Sequence, residues 1–228
     1  MVVDPKMPIK SLAKSLAADF QPIEPDLLGR YLQDIVEWND RIGLVSRRSV
    51  LPSLERLVRQ SAWFLRFLRD QRVITPSGEQ TVADVGSGAG FPGIVWKLMQ
   101  PSLQVTLLER RQKKVTFLQR MTVILGLEGV EIAEGDAAEL GTYERFSEKF
   151  DVTTSLAVAS PSTIARLVEP LVKPGGCYAT VRSREEMFQP DRIGRALDLA
   201  AVTDHECGRF CLYRRASGRA IGENSDKK

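Results

Sequence analysis

A chain of 228 residues, 43% hydrophobic and 27% charged, is long enough to bury a real core and has an ordinary globular composition. No apolar run reaches the length of a membrane span, and MVVDPKMPIK has no apolar stretch before a cleavage site, so neither an anchor nor a secretion signal is expected. Three cysteines without a disulfide spacing suit a reducing cytoplasm, and a net charge of +3 does not by itself demand a nucleic-acid partner.

Residues 8–72 read as helical. Leu27, Leu28, Tyr31, Leu32, Ile35, Val36 and Trp38 recur at helical spacing, and Pro25-Asp26 suits a helix start. A second helix is predicted over roughly 52–70, carrying Leu54, Leu57, Val58, Phe64, Leu65 and Leu68. Thr75-Pro76-Ser77-Gly78 then breaks the pattern. The expected organisation is a helical attachment over 1–75, a core over 76–216 and a polar tail over 217–228.

From residue 81 short apolar runs alternate with helical segments. The runs are Thr81–Val85, Gln104–Glu109, Val130–Ala133, Phe150–Ser155, Cys177–Arg182, Ala200–Glu206 and Arg209–Arg214. The first six are separated by enough chain for crossover helices, which implies parallel strands. Only Cys207-Gly208 separates the last two, which fits a hairpin and an antiparallel final strand. The predicted fold class is therefore α/β, with a seven-stranded, mostly parallel sheet closed by an antiparallel hairpin. A dinucleotide-binding domain has six parallel strands instead.

Val82-Ala83-Asp84-Val85 ends a strand, and Gly86-Ser-Gly88-Ala-Gly90-Phe-Pro-Gly93 follows. Glycines at such a turn allow positive φ and let a ligand approach the backbone. Pro92 fits the first turn of the next helix, whose N-terminus would face that ligand. Gly88, Gly90 and Gly93 form a literal G-x-G-x-x-G, a weak dinucleotide signal alone. Asp84 argues against a pyrophosphate, which it would repel, and for the ammonium and sulfonium of S-adenosylmethionine. Neither the loop nor the helix offers Lys or Arg before Lys97 to neutralise a phosphate. Glu109 ends the second strand, 23 residues past Gly86, close to the spacing at which an acid accepts from ribose hydroxyls. Asp136, followed by Ala137, is placed to meet the adenine amino group, although a helix N-cap explains it equally well. The predicted cofactor set is Asp84, Gly86, Ser87, Gly88, Gly90, Phe91, Glu109, Asp136 and Ala137.

Basic residues crowd three segments: Arg47 to Arg72, Arg110 to Arg120, and Arg209 to Arg219. Each fits a solvated face, and several around one pocket would suit a polyanion. His205, Cys207 and Cys211 suggest zinc only superficially, since no fourth ligand is evident; no metal is expected. Trp38 reads as a core aromatic rather than a base-stacking platform.

The run Asp84 to Gly93, Leu108-Glu109 with Lys113-Lys114 and Phe117-Leu118, Trp38-Asn39 with Leu44, and Val172-Lys-Pro-Gly-Gly176 together resemble the bacterial 16S ribosomal RNA guanine-N7 methyltransferases, also called glucose-inhibited division protein B. The similarity covers roughly residues 27–215 and is densest over 82–120. It implies a class I methyltransferase fold, S-adenosylmethionine as cofactor, 16S ribosomal RNA or the small ribosomal subunit as partner, and a cytoplasmic monomer. The chain departs from the family pattern at Leu57, Gln60 and Leu156, where polar or charged groups are usual, at Ser183, which replaces a glycine, and at Gly43, which replaces an asparagine.

Guanine N7 carries a lone pair and no proton, so its methylation requires orientation and desolvation but no general base. The acceptor-side candidates are Arg56, Ser61, Ser155 and Arg182, none of them acting as a base. Two other readings stay open: a methyltransferase of the same descent with a different acceptor, and a ribosome-associated module that binds the cofactor without turnover.

Overall fold

A computed structural model describes residues 7–76, 78–156, 161–183 and 191–217. The N-terminal part forms three helices, α1 (Met7–Asp19), α2 (Pro25–Ile42) and α3 (Val50–Asp70). Pro25 at the start of α2 loses no intrahelical bond, and Asp26 in the first turn complements the helix dipole. Asn39 closes α2: its carbonyl accepts from Gly43 N, and its buried side chain accepts from Leu44 N and Val45 N, each at 2.8 Å. Gly43 has φ 63°, which glycine and asparagine both tolerate, so glycine can replace the family's asparagine here.

The sheet strands are β1 (Thr81–Val85), β2 (Gln104–Glu109), β3 (Val130–Glu134), β4 (Phe150–Leu156), β5 (Val172–Arg182), β6 (Arg192–Ile193), β7 (Leu197–His205) and β8 (Gly208–Arg215). Their spatial order is β3-β2-β1-β4-β5-β8-β7-β6. The first five are parallel, β8 runs antiparallel to β5, and β7 pairs antiparallel with β8. All seven expected strands are present. The eighth, β6, is a two-residue edge strand, too short to leave a sequence pattern. His205 opposes Gly208, so the hairpin turn is Glu206-Cys207, one residue earlier than expected.

Four crossovers carry helices: α4 (Gly93–Met99), α5 (Gln112–Ile124), α6 (Ala137–Leu140) and α7 (Pro161–Val168). The connection from β5 to β7 includes β6, and its residues 184–190 lie outside the described residues. One buried cluster joins Leu16, Tyr31 and Phe64 of the N-terminal helices to Val82, Trp96, Val152 and Phe210 on one sheet face. The other face, with Ala83, Leu108, Tyr178 and Tyr213, packs with residues of α6 and α7. Strand alternation produces this division, because successive side chains point to opposite faces. Trp96 is fully buried, and its indole donates to the Ser61 carbonyl at 2.8 Å, which fixes α3 against α4.

Candidate active site

β1 is flanked by β2 on one side and β4 on the other, so the chain reverses its direction of travel across the sheet at β1. Open α/β sheets form a ligand crevice at the carboxyl ends of such strands. The glycine loop leaves β1 at that point. Gly86, Gly88 and Gly90 have φ 73°, 60° and 100°, so each occupies backbone space that favours glycine.

Glu109, at the end of β2, holds this loop. One carboxylate oxygen accepts from Gly88 N at 3.0 Å and the other from Arg111 N at 2.9 Å. A carboxylate has about four acceptor sites, so capacity remains for ribose hydroxyls. A cavity of about 240 Å³ opens beside it, lined by Gly86, Glu109, Arg110, Asp136, Ala137 and others. Asp136 is the N-cap of α6 and accepts from Ala138 N at 2.9 Å, so it lines the cavity and also caps the helix. Thr163 and Leu167 of α7 close the far wall. Sequence reasoning missed both, because only the fold brings α7 to β1 and β2.

Asp84 is fully buried. Its Oδ2 accepts from Gly93 N at 3.1 Å, so the first N–H of α4 faces Asp84 rather than a ligand. Burial pushes its carboxyl up to about 8. Oδ1 of Asp84 and Oγ1 of Thr154, its register neighbour on β4, are buried without a hydrogen-bond partner among the described residues. Such orphaned groups are costly unless a ligand or water completes them. Phe91 is buried against Tyr31, with ring centroids 5.5 Å apart, and Ser87 Oγ donates to the Asp84 carbonyl at 2.7 Å. These two residues therefore shape the loop from behind.

S-adenosylmethionine has a nucleoside end and a cationic amino-acid end, and the residues present fit both. Glu109 with the cavity over Asp136 and Ala137 would hold the nucleoside. The orphaned Asp84 oxygen and the open loop would hold the ammonium and sulfonium.

The acceptor-side candidates fall into two groups. Ser155 and Tyr178 share a 2.8 Å hydrogen bond, and Thr180 Oγ1 donates to the Ser155 carbonyl at 2.9 Å. Arg182 continues that face of β5 at its carboxyl end, and burial pushes the Tyr178 phenol up to about 12 although Arg182 draws it down. Ser61 and Arg56 belong to α3, which packs on the opposite sheet face. The Ser61 hydroxyl donates to Leu57 O within its own helix at 2.7 Å, and Arg56 is exposed.

The basic clusters also divide. Arg59 pairs with Asp19 and Glu55, Arg66 lies over Trp63 at 4.7 Å, and Arg69 donates to Gln100. Arg120 pairs with the buried Asp34, and the buried Arg215 pairs with Glu148. These arginines join elements of the protein rather than forming one free face. Donor atoms of His205, Glu206 and Cys207 lie within 4.8 Å of one another, whereas the buried Cys211 is not part of that group.

A family model described as rRNA small subunit methyltransferase G matches residues 25–197. The chain belongs to this family. The ribosomal RNA small subunit methyltransferase G of Caldanaerobacter subterraneus subsp. tengcongensis is 33% identical over 179 residues, covering 78% of this chain and 72% of the relative. That of an Exiguobacterium species is 35% identical over 195 residues, covering 84% and 78%. Among solved structures, a methyltransferase from Geobacter sulfurreducens aligns with TM-score 0.57 at 15% identity, covering 95% of this chain and 98% of that one. A mutant of MtNAS in complex with S-adenosylmethionine aligns with TM-score 0.52 at 17% identity, covering 91% and 88%. These neighbours place the fold in class I.

Three departures from the methyltransferase G pattern, at Leu57, Gln60 and Leu156, have packing explanations here. Gln60 Nε2 donates to Cys207 O at 2.7 Å and fastens the β7–β8 turn to α3. Leu57 and Leu156 pack against the core cluster that α3 shares with the sheet. The three positions thus contribute to docking α3 and β4 in the fold.

Proposed function

We propose that the protein transfers the methyl group of S-adenosylmethionine to N7 of a guanine in 16S ribosomal RNA, in the cytoplasm. The observation that carries this reading is the coincidence of the family match over 25–197 with a glycine loop bonded to Glu109 beside a cavity of about 240 Å³. No helix among the described residues is long and apolar enough to cross a membrane.

When bound, S-adenosylmethionine supplies an electrophilic methyl group on a positively charged sulfur. Glu109 would hold the ribose and, through its bond to Gly88 N, sets the conformation of the glycine loop. Asp84 would attract the positive end of the cofactor. Because guanine N7 carries a lone pair and no proton, no residue of this chain would have to act as a base. The protein must align the acceptor and exclude water, which is how orientation lowers such a barrier. Arg182, at the carboxyl end of β5, would meet the RNA backbone.

The test is to incubate the purified protein with labelled methyl donor and small ribosomal subunits, then map 7-methylguanosine. Label at a guanine N7 in 16S RNA is the expected result. Transfer to another acceptor with inert subunits would overturn the acceptor, and cofactor binding without transfer to any fraction would overturn the enzyme.

A further inference from the structure

We propose that Lys114 is an anion-binding residue of this pocket, holding a carboxylate or phosphate oxygen of a bound ligand beside the glycine loop. The inference rests on the methyltransferase reading above. Neither the loop nor the start of α4 contains a cation. Lys97, the first one in α4, is spent internally: its Nζ donates to the carbonyls of Pro101 at 2.5 Å and Leu103 at 2.6 Å. The fold supplies a cation from elsewhere. The first turn of α5 carries Lys114, whose Nζ lies 3.7 Å from where a Cβ would stand on Gly88.

Lys113, one residue earlier, is exposed, whereas Lys114 is half-buried. Among the described residues the Lys114 ammonium makes no hydrogen bond or ion pair. Glu109 attracts it without forming a hydrogen bond or ion pair with it. Burial lowers the Lys114 pKa. An ammonium beside the loop that has no acceptor from the protein is open to an arriving oxyanion, which would form a short charge-assisted bond with it. Two ligand groups of this reaction have that chemistry: the carboxylate on the amino-acid arm of S-adenosylmethionine, and a phosphate of the acceptor RNA.

The experiment compares Lys114→Met, Lys114→Arg and Lys113→Met in the full chain, with thermal melts to check folding. Calorimetry measures S-adenosylmethionine and 5′-methylthioadenosine, which keeps the nucleoside and sulfur but lacks the amino-acid arm. Methyl transfer to small subunits is followed against salt. If the anion is the carboxylate, Lys114→Met weakens S-adenosylmethionine binding by about tenfold or more and leaves methylthioadenosine unchanged. If it is a phosphate, cofactor affinity stays, KM for subunits rises about tenfold, and the salt slope falls by about one. Lys114→Arg restores the affected quantity in either case. Unchanged affinity and KM in Lys114→Met, or equal losses in Lys113→Met, would overturn the assignment while leaving the methyltransferase reading intact. A wild-type chain that binds no S-adenosylmethionine would overturn both.

Discussion

The Tyr31 hydroxyl donates a 2.8 Å hydrogen bond to the carbonyl of Ala89, so a helix outside the sheet holds the middle of the glycine loop. Tyr31 is fully buried and packs on Phe91. Two further links attach α2 to α5: Arg120 to Asp34 at 2.9 Å, and Trp38 to Phe117 with centroids 6.0 Å apart. Helix α2 is therefore fastened both to the glycine loop and to α5.

Tyr31→Phe keeps the ring packing and removes only the hydrogen bond. It should cost about 1 kcal/mol of stability and raise the dissociation constant for S-adenosylmethionine several-fold. Tyr31→Ala should cost about 3–5 kcal/mol, because it also leaves a cavity under Phe91. Denaturant unfolding and calorimetry check both. Unchanged cofactor affinity in Tyr31→Phe would reduce the tyrosine to a packing role.

Ser61 and Arg182 should behave differently when truncated. The Ser61 hydroxyl is bonded within its own helix, and its carbonyl rather than its side chain receives Trp96. Ser61→Ala should therefore leave methyl transfer within about twofold, since that single neutral bond is worth about 1 kcal/mol at most to the helix. Arg182→Ala should raise KM for small subunits with little change in cofactor affinity. Steady-state kinetics with subunits decides, and full activity in Arg182→Ala would remove it from the acceptor side.

The sheet was legible because its strands are short apolar runs between helical segments: β1 and β2 begin and end where the sequence places them. Glu109 was legible because strand ends and glycine spacing are local. Tyr31, Lys114, Thr163 and Leu167 were not legible as site residues, since they reach the site from three helices, α2, α5 and α7, away from the glycines. Ser61 illustrates the converse. Its position matches the family, but a hydroxyl's partner is a tertiary fact, and here the partner is one helical turn away.

Asp84 gives a pH prediction. Its carboxyl is raised to about 8 by burial, whereas in the unfolded chain it titrates near the ordinary value of about 3.9. The acid is neutral in the fold but ionises freely when unfolded. Its contribution to stability is thus fully present below about pH 4 and is lost as pH rises to about 8. Asp84→Asn should flatten that decline in the ligand-free protein. An ammonium or sulfonium arriving beside Asp84 favours its anion, so S-adenosylmethionine binding at pH 7 should release a proton. Calorimetry in buffers of different ionisation enthalpy measures this release, and Asp84→Asn should abolish it. Equal release in the variant would show that the proton comes from another group.

Glu109→Gln tests the acid at the centre of the site by a nearly isosteric change. Both carboxylate oxygens accept backbone N–H groups, from Gly88 and Arg111. Glutamine offers one acceptor oxygen, so its amide nitrogen must face the other N–H, donor against donor. Leaving that N–H unsatisfied should cost about 1–3 kcal/mol even without ligand. Cofactor binding should weaken further, because the remaining oxygen must serve both the loop and the ribose. The nucleoside alone reports the ribose share: adenosine affinity should fall together with S-adenosylmethionine affinity in Glu109→Gln, whereas Lys114→Met should spare adenosine. A variant with wild-type stability and wild-type adenosine affinity would mean that Glu109 neither holds the loop nor meets the ribose.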